Sequence, residues 1–333
     1  MDEPGAAAPT GWITSPIYKR HKTGAWHPEK PARIDAVTEA IEGAAWFEDR
    51  LQAIEPEPAD AAAILACHEK RYFEAVQRDI SANRQALQSG DTRISDDSLA
   101  VAKLAAGGAM AAVDAVMGGR VANAFCCIRP PGHHATASRG MGFCVFNNAA
   151  IAARHAQARH DVARVLIVDW DVHHGNGTQN IFYDDGSVFF FSTHQSPWYP
   201  GTGAATERGM GEGEGATLNC PLPAGSGRKQ VLGAFEDELA PAADRFKPDL
   251  VIISAGFDAR VDDPLGRFKL TDEDLGDLTK LMMRIADTHC AGRIVSVVEG
   301  GYNLKGLASA AKAHVAALCG TGEVLSRRGC GWF

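Results

Sequence analysis

Side chains that titrate near neutrality or bind metals are concentrated at a few places in this 333-residue chain. His133 and His134 are adjacent in RPPGHHA, Asp169, Asp171, His173 and Asn176 fall within DWDVHHGN, Asp258 follows ISAGF, and Tyr302 follows EGG. In an extended or gently turning segment, Asp171 and His173 point the same way and can reach one ion, and Asp258 completes a three-ligand set. Two carboxylates and one imidazole suit Zn²⁺, with Fe²⁺ or Co²⁺ as alternatives, and three protein ligands leave positions open for water and substrate. His133 and His134 can then move protons between water and a leaving group, with Asp169 and Asn176 orienting their rings. The Tyr302 phenol can donate to an oxyanion opposite the metal. Such an ensemble describes metal-assisted hydrolysis of an amide or ester.

These residues must be brought together by the elements that precede them. The apolar, β-branched runs at 124–128, 163–169, 187–193, 249–256 and 293–301 read as strands. Helical patterns occupy 29–43, 69–80, 97–117, 147–160, 228–246, 271–288 and 303–318, the first of them as a surface helix. Strands apolar on both faces and separated by helices imply an α/β fold, with a largely parallel sheet covered by helices on both sides. Ligands of such sheets bind beyond the carboxyl ends of the strands. A single Asp or His after a strand reads as a turn former or cap, but four strand ends delivering His/His, Asp/Asp/His, Asp and Tyr strain that explanation.

Composition sets the frame. With 45% hydrophobic and 22% charged residues the chain is an ordinary folded protein. We read residues 1–333 as one domain, since no repeat or long linker interrupts them. A formal net charge of -8 offers no global positive field, which argues against direct binding of nucleic acid. Eight scattered cysteines without a CxxC pair read as reduced, mostly buried thiols. The acidic start MDEPGAAAPT does not match a signal peptide, and no uninterrupted apolar run reaches about 18 residues. The expectation is a cytoplasmic protein without a membrane partner.

Several strings carry a family resemblance: HKTGAWHPEKPAR, RPPGHHA, GFCVFNNAAIAA, VDWDVHHGNGTQ, SPWYPGTG, SAGFDARVDDPLG and EGGYNL. In this order, over residues 21–304, they resemble the zinc-dependent histone deacetylase superfamily, including its acetylpolyamine amidohydrolases, with a motif-bearing core at 21–318. The resemblance implies the arginase/deacetylase fold and hydrolysis of N-acetylated amines. It makes Asp171, His173 and Asp258 the zinc ligands, His133 the histidine held by Asp169, His134 the general base and acid, and Tyr302 the oxyanion partner. It also implies an acyl-amine tunnel lined by Gly142, Phe143, Tyr199 and Leu265. A monovalent cation, usually K⁺, is implied at the carbonyls of Asp169, Asp171 and His173 with Ser192 and Thr193, and a second near Phe182, Asp185 and Val188.

Departures from the family pattern refine this reading. Asn176 replaces the aspartate of class I members, as in class II, and a neutral partner lowers the pKa of His134. Leu265 stands where polyamine-selective relatives carry glutamate, which tilts the expected substrate from acetylpolyamine toward acetyl-lysine in proteins or peptides. Gly175 and Arg260 occupy the second-metal positions of arginases, so a binuclear manganese site is not supported. A non-catalytic acyl-lysine reader is a minor alternative, because all ligands and Tyr302 are retained. Cys144 reads as inert packing, residues 91–97 as a solvated turn rather than a substrate-facing rim, and 325–333 as a tail that docks on the body or on a neighbour. Without a long dimer-forming insertion, a monomer or loose assembly is favoured, and the sequence leaves the oligomeric state open.

Overall fold

The structure is a computed structural model that describes residues 8–321, so the tail at 325–333 and Cys330 lie outside the described residues. Among the described residues, eight strands form one sheet: β1 Thr10–Ile13, β2 Leu51–Ala53, β3 Asn123–Cys126, β4 Val165–Asp169, β5 Val188–Gln195, β6 Thr217–Leu222, β7 Leu250–Ala255 and β8 Ile294–Val298. Their order is β2-β1-β3-β8-β7-β4-β5-β6, and every pairing is parallel. Burial on both faces explains why the central strands read as continuous apolar runs: every residue of β3, β4, β5, β7 and β8 is buried.

Helices form the covering layers. Ser98–Met117 packs on Asn148–His160, while Asp272–Cys290 packs on Leu304–Leu318, which packs on Ala32–Glu42. Ser98–Met117 is long and apolar enough to cross a bilayer by length and composition, yet most of it is buried within the fold. The expected helix at 228–246 is helical throughout but contains a π-turn at Phe235–Leu239. Pro241 has no N–H to return to the carbonyl four residues back, and the widened turn immediately precedes it.

Three corrections follow from the local sequence. The helix expected from residue 29 starts at Ala32, leaving Glu29 in a loop, and Arg33, Ile34, Val37 and Ile41 are buried beneath it. Strands β1, β2 and β6 were not foreseen, since β1 and β2 are short and β6 carries Pro221 in an edge strand. The helix Asn176–Phe182, also unforeseen, begins within the His- and Gly-rich stretch that reads as a loop.

The strand order explains how distant residues meet. The strands preceding His133/His134, Tyr302, Asp258 and Asp171/His173 are β3, β8, β7 and β4, which are four consecutive neighbours in the sheet. Cys126 pairs with Val297, Val297 with Ser254, and Ser254 with Asp169, so their carboxyl ends are level.

Candidate active site

Asp171, His173 and Asp258 converge, with one donor atom from each lying within 4.8 Å of the others. His173 Nδ1 is 2.9 Å from Asp171 Oδ1 and 3.2 Å from Asp258 Oδ2. Backbone amides hold the carboxylates: His173 N donates to Asp171 Oδ1, Gly300 N to Asp171 Oδ2 and Val172 N to Asp258 Oδ1. Asp258 Oδ2 is buried with no hydrogen-bond partner. That orphaned oxygen, the two-carboxylate and imidazole donor set, and the space left by Gly300 fit a divalent cation. A Cβ at Gly300 would sit 1.9 Å from Asp258 Oδ2 and 2.6 Å from Asp171 Oδ2. Burial and the charge of Asp171 raise the Asp258 carboxyl to about 7. Burial alone would lower His173, but the adjacent carboxylates of Asp171 and Asp258 raise it to about 10. The cluster thus attracts positive charge in a site with little water to screen it.

The adjacent histidines differ in their partners. His133 Nδ1 is 2.9 Å from Asp169 Oδ2, and its Nε2 lies 3.9 Å from Asp171 Oδ2. Burial would lower His133, but the carboxylates of Asp169 and Asp171 hold it well above the usual imidazole range. His134 Nδ1 is 2.7 Å from Asn176 Oδ1. Burial, then the charges of His133 and His173, hold His134 well below that range. The two rings lie at a centroid distance of 4.0 Å with their planes tilted by 41°. One ring is therefore poised to stay cationic and the other to stay neutral.

Aromatic groups surround this pair. Tyr302 is half-buried and meets Phe143 edge to face at 5.9 Å, and Tyr199 meets His134 at 5.1 Å. Gly142 and Phe143 both have positive φ, 55° and 69°. A Cβ at Gly142 would lie 2.2 Å from His134 Cδ2, so the loop can cover this ring only with glycine there. Asp91 accepts from Gly142 N at 2.7 Å and from the Tyr199 hydroxyl at 3.4 Å. This corrects the reading of 91–97 as a merely solvated turn, since its first residue braces the rim. Asp263 accepts from Leu265 N, Tyr302 N and Asn303 N, tying the Leu265 loop to the segment that carries Tyr302.

The model of the histone deacetylase domain matches residues 27–318. The chain belongs to the histone deacetylase family. Like other histone deacetylases, it is a deacetylase, a hydrolase of this α/β fold. It is 41% identical to "Histone deacetylase 14, chloroplastic" of Arabidopsis thaliana, over 90% of this chain and 74% of that protein. It is 38% identical to "Histone deacetylase-like amidohydrolase" of Pseudomonas aeruginosa, over 88% and 75% respectively. The solved structure of the HDA15 HD domain superposes with a TM-score of 0.89 at 38% identity, covering 95% of this chain and 89% of that one.

Other expected positions of this histone deacetylase also come together. The register pairs Asp169 with Ser192, and Thr193 Oγ1 is buried without a partner. Phe182 and Asp185 share one turn, in which Asp185 N donates to Phe182 O at 3.1 Å, just before Val188 opens β5. Cys144 is buried, and burial raises its thiol well above the usual range, consistent with inert packing. All seven cysteines among the described residues are free.

A buried ionic network behind the site escaped the sequence reading. Arg129 grips Glu29 through Nε and Nη2 at 2.5 and 2.7 Å. Burial would raise Glu29, but Arg129 lowers it to about 2. Arg33 donates to the carbonyls of Gly301 and Glu299 at 2.7 and 2.5 Å, and its guanidinium carbon lies 5.1 Å from the Tyr302 ring centroid. Glu299 accepts from Gly132 N, His133 N and the Ser254 hydroxyl, bridging the strand ends. The available signal was charged residues embedded in otherwise apolar or Pro/Gly-rich motifs, at Glu29, Arg129 and Glu299.

Proposed function

We propose that the protein removes the acetyl group from acetyl-lysine side chains of proteins or peptides, with Zn²⁺ held by Asp171, His173 and Asp258. The observation that carries this reading is the orphaned Asp258 Oδ2 within a three-donor cluster, beside a neutral histidine and a tyrosine. Zn²⁺ held by these three residues would supply Lewis acidity toward the acetamide carbonyl and water. His134, neutral and donating through Nδ1 to Asn176, has Nε2 free to take a proton from water and return it to the departing amine. His133, cationic beside Asp169, stabilises developing negative charge, and Tyr302 donates its hydroxyl to the oxyanion. Phe143 and Tyr199, with Gly142 and Leu265, line the passage for the aliphatic stem. Carbonyls of Asp169, Asp171 and His173, with Ser192 and Thr193, would hold K⁺ behind the site, and Phe182, Asp185 and Val188 a second ion.

Leu265 favours a lysine substrate over a polyamine. It is uncharged, its carbonyl accepts from Trp198 Nε1, and the Asp91 carboxylate at the rim is engaged by Gly142 and Tyr199. No carboxylate at position 265 awaits a second ammonium group. The test is a paired assay of zinc-loaded protein on an acetyl-lysine peptide and on N-acetylputrescine, with a chelator control. A higher kcat/KM for the peptide, abolished by chelation, is expected. Preference for N-acetylputrescine would make the protein an acetylpolyamine amidohydrolase.

A further inference from the structure

A second convergence of metal-binding side chains lies away from the crevice. His155 Nε2 and His160 Nε2 are 2.7 and 2.6 Å from the same oxygen, Oδ1 of Asp114. Asp114 is in the last turn of Ser98–Met117, and the two histidines belong to the final turns of Asn148–His160. Residues five apart on a helix diverge by about 140° around its axis. The helix stops at His160, however, with Asp161 left-handed at φ 51°, and both rings still reach one carboxylate.

Topology separates this cluster from the active site. The helices that carry it end just before β3 and β4 begin, so it lies at the amino edge of the sheet, whereas the catalytic side chains follow the carboxyl ends. The side chains are accessible without being loose: His155 is 13% exposed, His160 23% and Asp114 48%. Both helices present their carbonyl-rich C-terminal ends there, which favours a cation. Asp114 also lines a surface cavity of about 540 Å³ in which Glu55, Glu57 and Asp60 outnumber Arg120.

We propose that Asp114, His155 and His160 form a second metal site that binds Zn²⁺ or another late first-row divalent cation and clips these two helix ends together. Two imidazoles and one carboxylate select such ions over Ca²⁺ and Mg²⁺, which prefer oxygen donors. Tetrahedral coordination at about 2.0 Å separates donor atoms by about 3.3 Å, so opening the present hydrogen-bonded arrangement needs shifts of less than about 1 Å. The remaining positions open to water.

The experiment measures zinc per chain in the full-length protein dialysed against buffered free Zn²⁺, with thermal melts in parallel. Variants are His155→Gln/His160→Gln, Asp171→Asn/Asp258→Asn, and both sets combined. Two equivalents are expected in the parent protein, one in each double variant and none in the combination. The zinc-dependent rise in Tm of Asp171→Asn/Asp258→Asn should vanish when His155→Gln/His160→Gln is added. Asp114→Asn, a conservative surface change, should weaken the second equivalent by about tenfold or more. Equal zinc content and an equal zinc-dependent Tm rise in the parent, His155→Gln/His160→Gln and Asp114→Asn proteins would overturn the proposal, leaving a metal-free hydrogen-bonded bridge.

Discussion

Nδ1 of His134 lies 2.7 Å from Oδ1 of Asn176, so a neutral His134 spends its single N–H on an uncharged partner and leaves Nε2 as a bare acceptor. Burial, then the charges of His133 and His173, already hold this ring well below the usual imidazole range. A base of this kind works down to mildly acidic pH, because protonation of its folded form is disfavoured.

Asn176→Asp should reverse part of that effect. A carboxylate at hydrogen-bond distance favours imidazolium and raises the pKa of a histidine by about 1 unit or more. Because the working form is unprotonated, the acid limb of kcat/KM against pH should move to higher pH. An unmoved limb would show that another group controls it.

The division of labour proposed for His134 and Tyr302 predicts a shared kinetic signature. His134→Ala and Tyr302→Phe should each lower kcat by about 10²-fold or more. Neither residue belongs to the Asp171, His173 and Asp258 cluster, so bound zinc should be unchanged in both variants. Metal analysis beside single-turnover rates checks this, and near-parental turnover in either variant would remove that residue from the chemistry.

Much of the site was legible because its chemistry is local in sequence. Asp171 and His173 share a short segment, and the candidate catalytic residues follow apolar runs that are unmistakable strands in a buried parallel sheet. Periodicity does not reveal which strands are neighbours. The adjacency of β3, β8, β7 and β4 makes one crevice of four loops, and it came from the tertiary fold. The supporting ion network was illegible for a related reason. Glu29 and Arg129 are 100 residues apart, and a charged residue in a loop normally reads as solvated. β1 and β2 are too short to carry an alternation pattern, and β6 is an edge strand with a proline.

His314 links this buried polar chemistry to stability. It lies in the core between the Thr279 hydroxyl, 2.6 Å from Nδ1, and the Ser296 hydroxyl, 2.9 Å from Nε2, and burial lowers its pKa to about 3. The unfolded chain takes up a proton on this ring near pH 6.5, while the folded chain does not until about pH 3. Its contribution is therefore intact above pH 6.5 and is lost as pH falls, by about 1.4 kcal/mol per unit at most. His314→Gln lacks this term. Urea unfolding of both proteins should show the parent's advantage shrinking between pH 6.5 and 5, and a constant difference would refute the assignment.

Arg33 supports the last prediction, because it touches the backbone beside Tyr302 rather than the metal cluster. Its fork binds the carbonyls of Gly301 and Glu299, and its guanidinium carbon lies 5.1 Å from the Tyr302 ring centroid. Lysine keeps the charge but lacks the planar, multidentate geometry, so Arg33→Lys should let the Tyr302 hydroxyl drift from the oxyanion position. Displacement of a catalytic group by about 1 Å costs up to about 10²-fold in rate. The expected result is a fall in kcat of about 10-fold to 10²-fold with KM and zinc content little changed. In a Tyr302→Phe background the same substitution should cost far less, since the group it positions is gone. Equal losses in both backgrounds would mean that Arg33 acts through the fold at large, not through Tyr302.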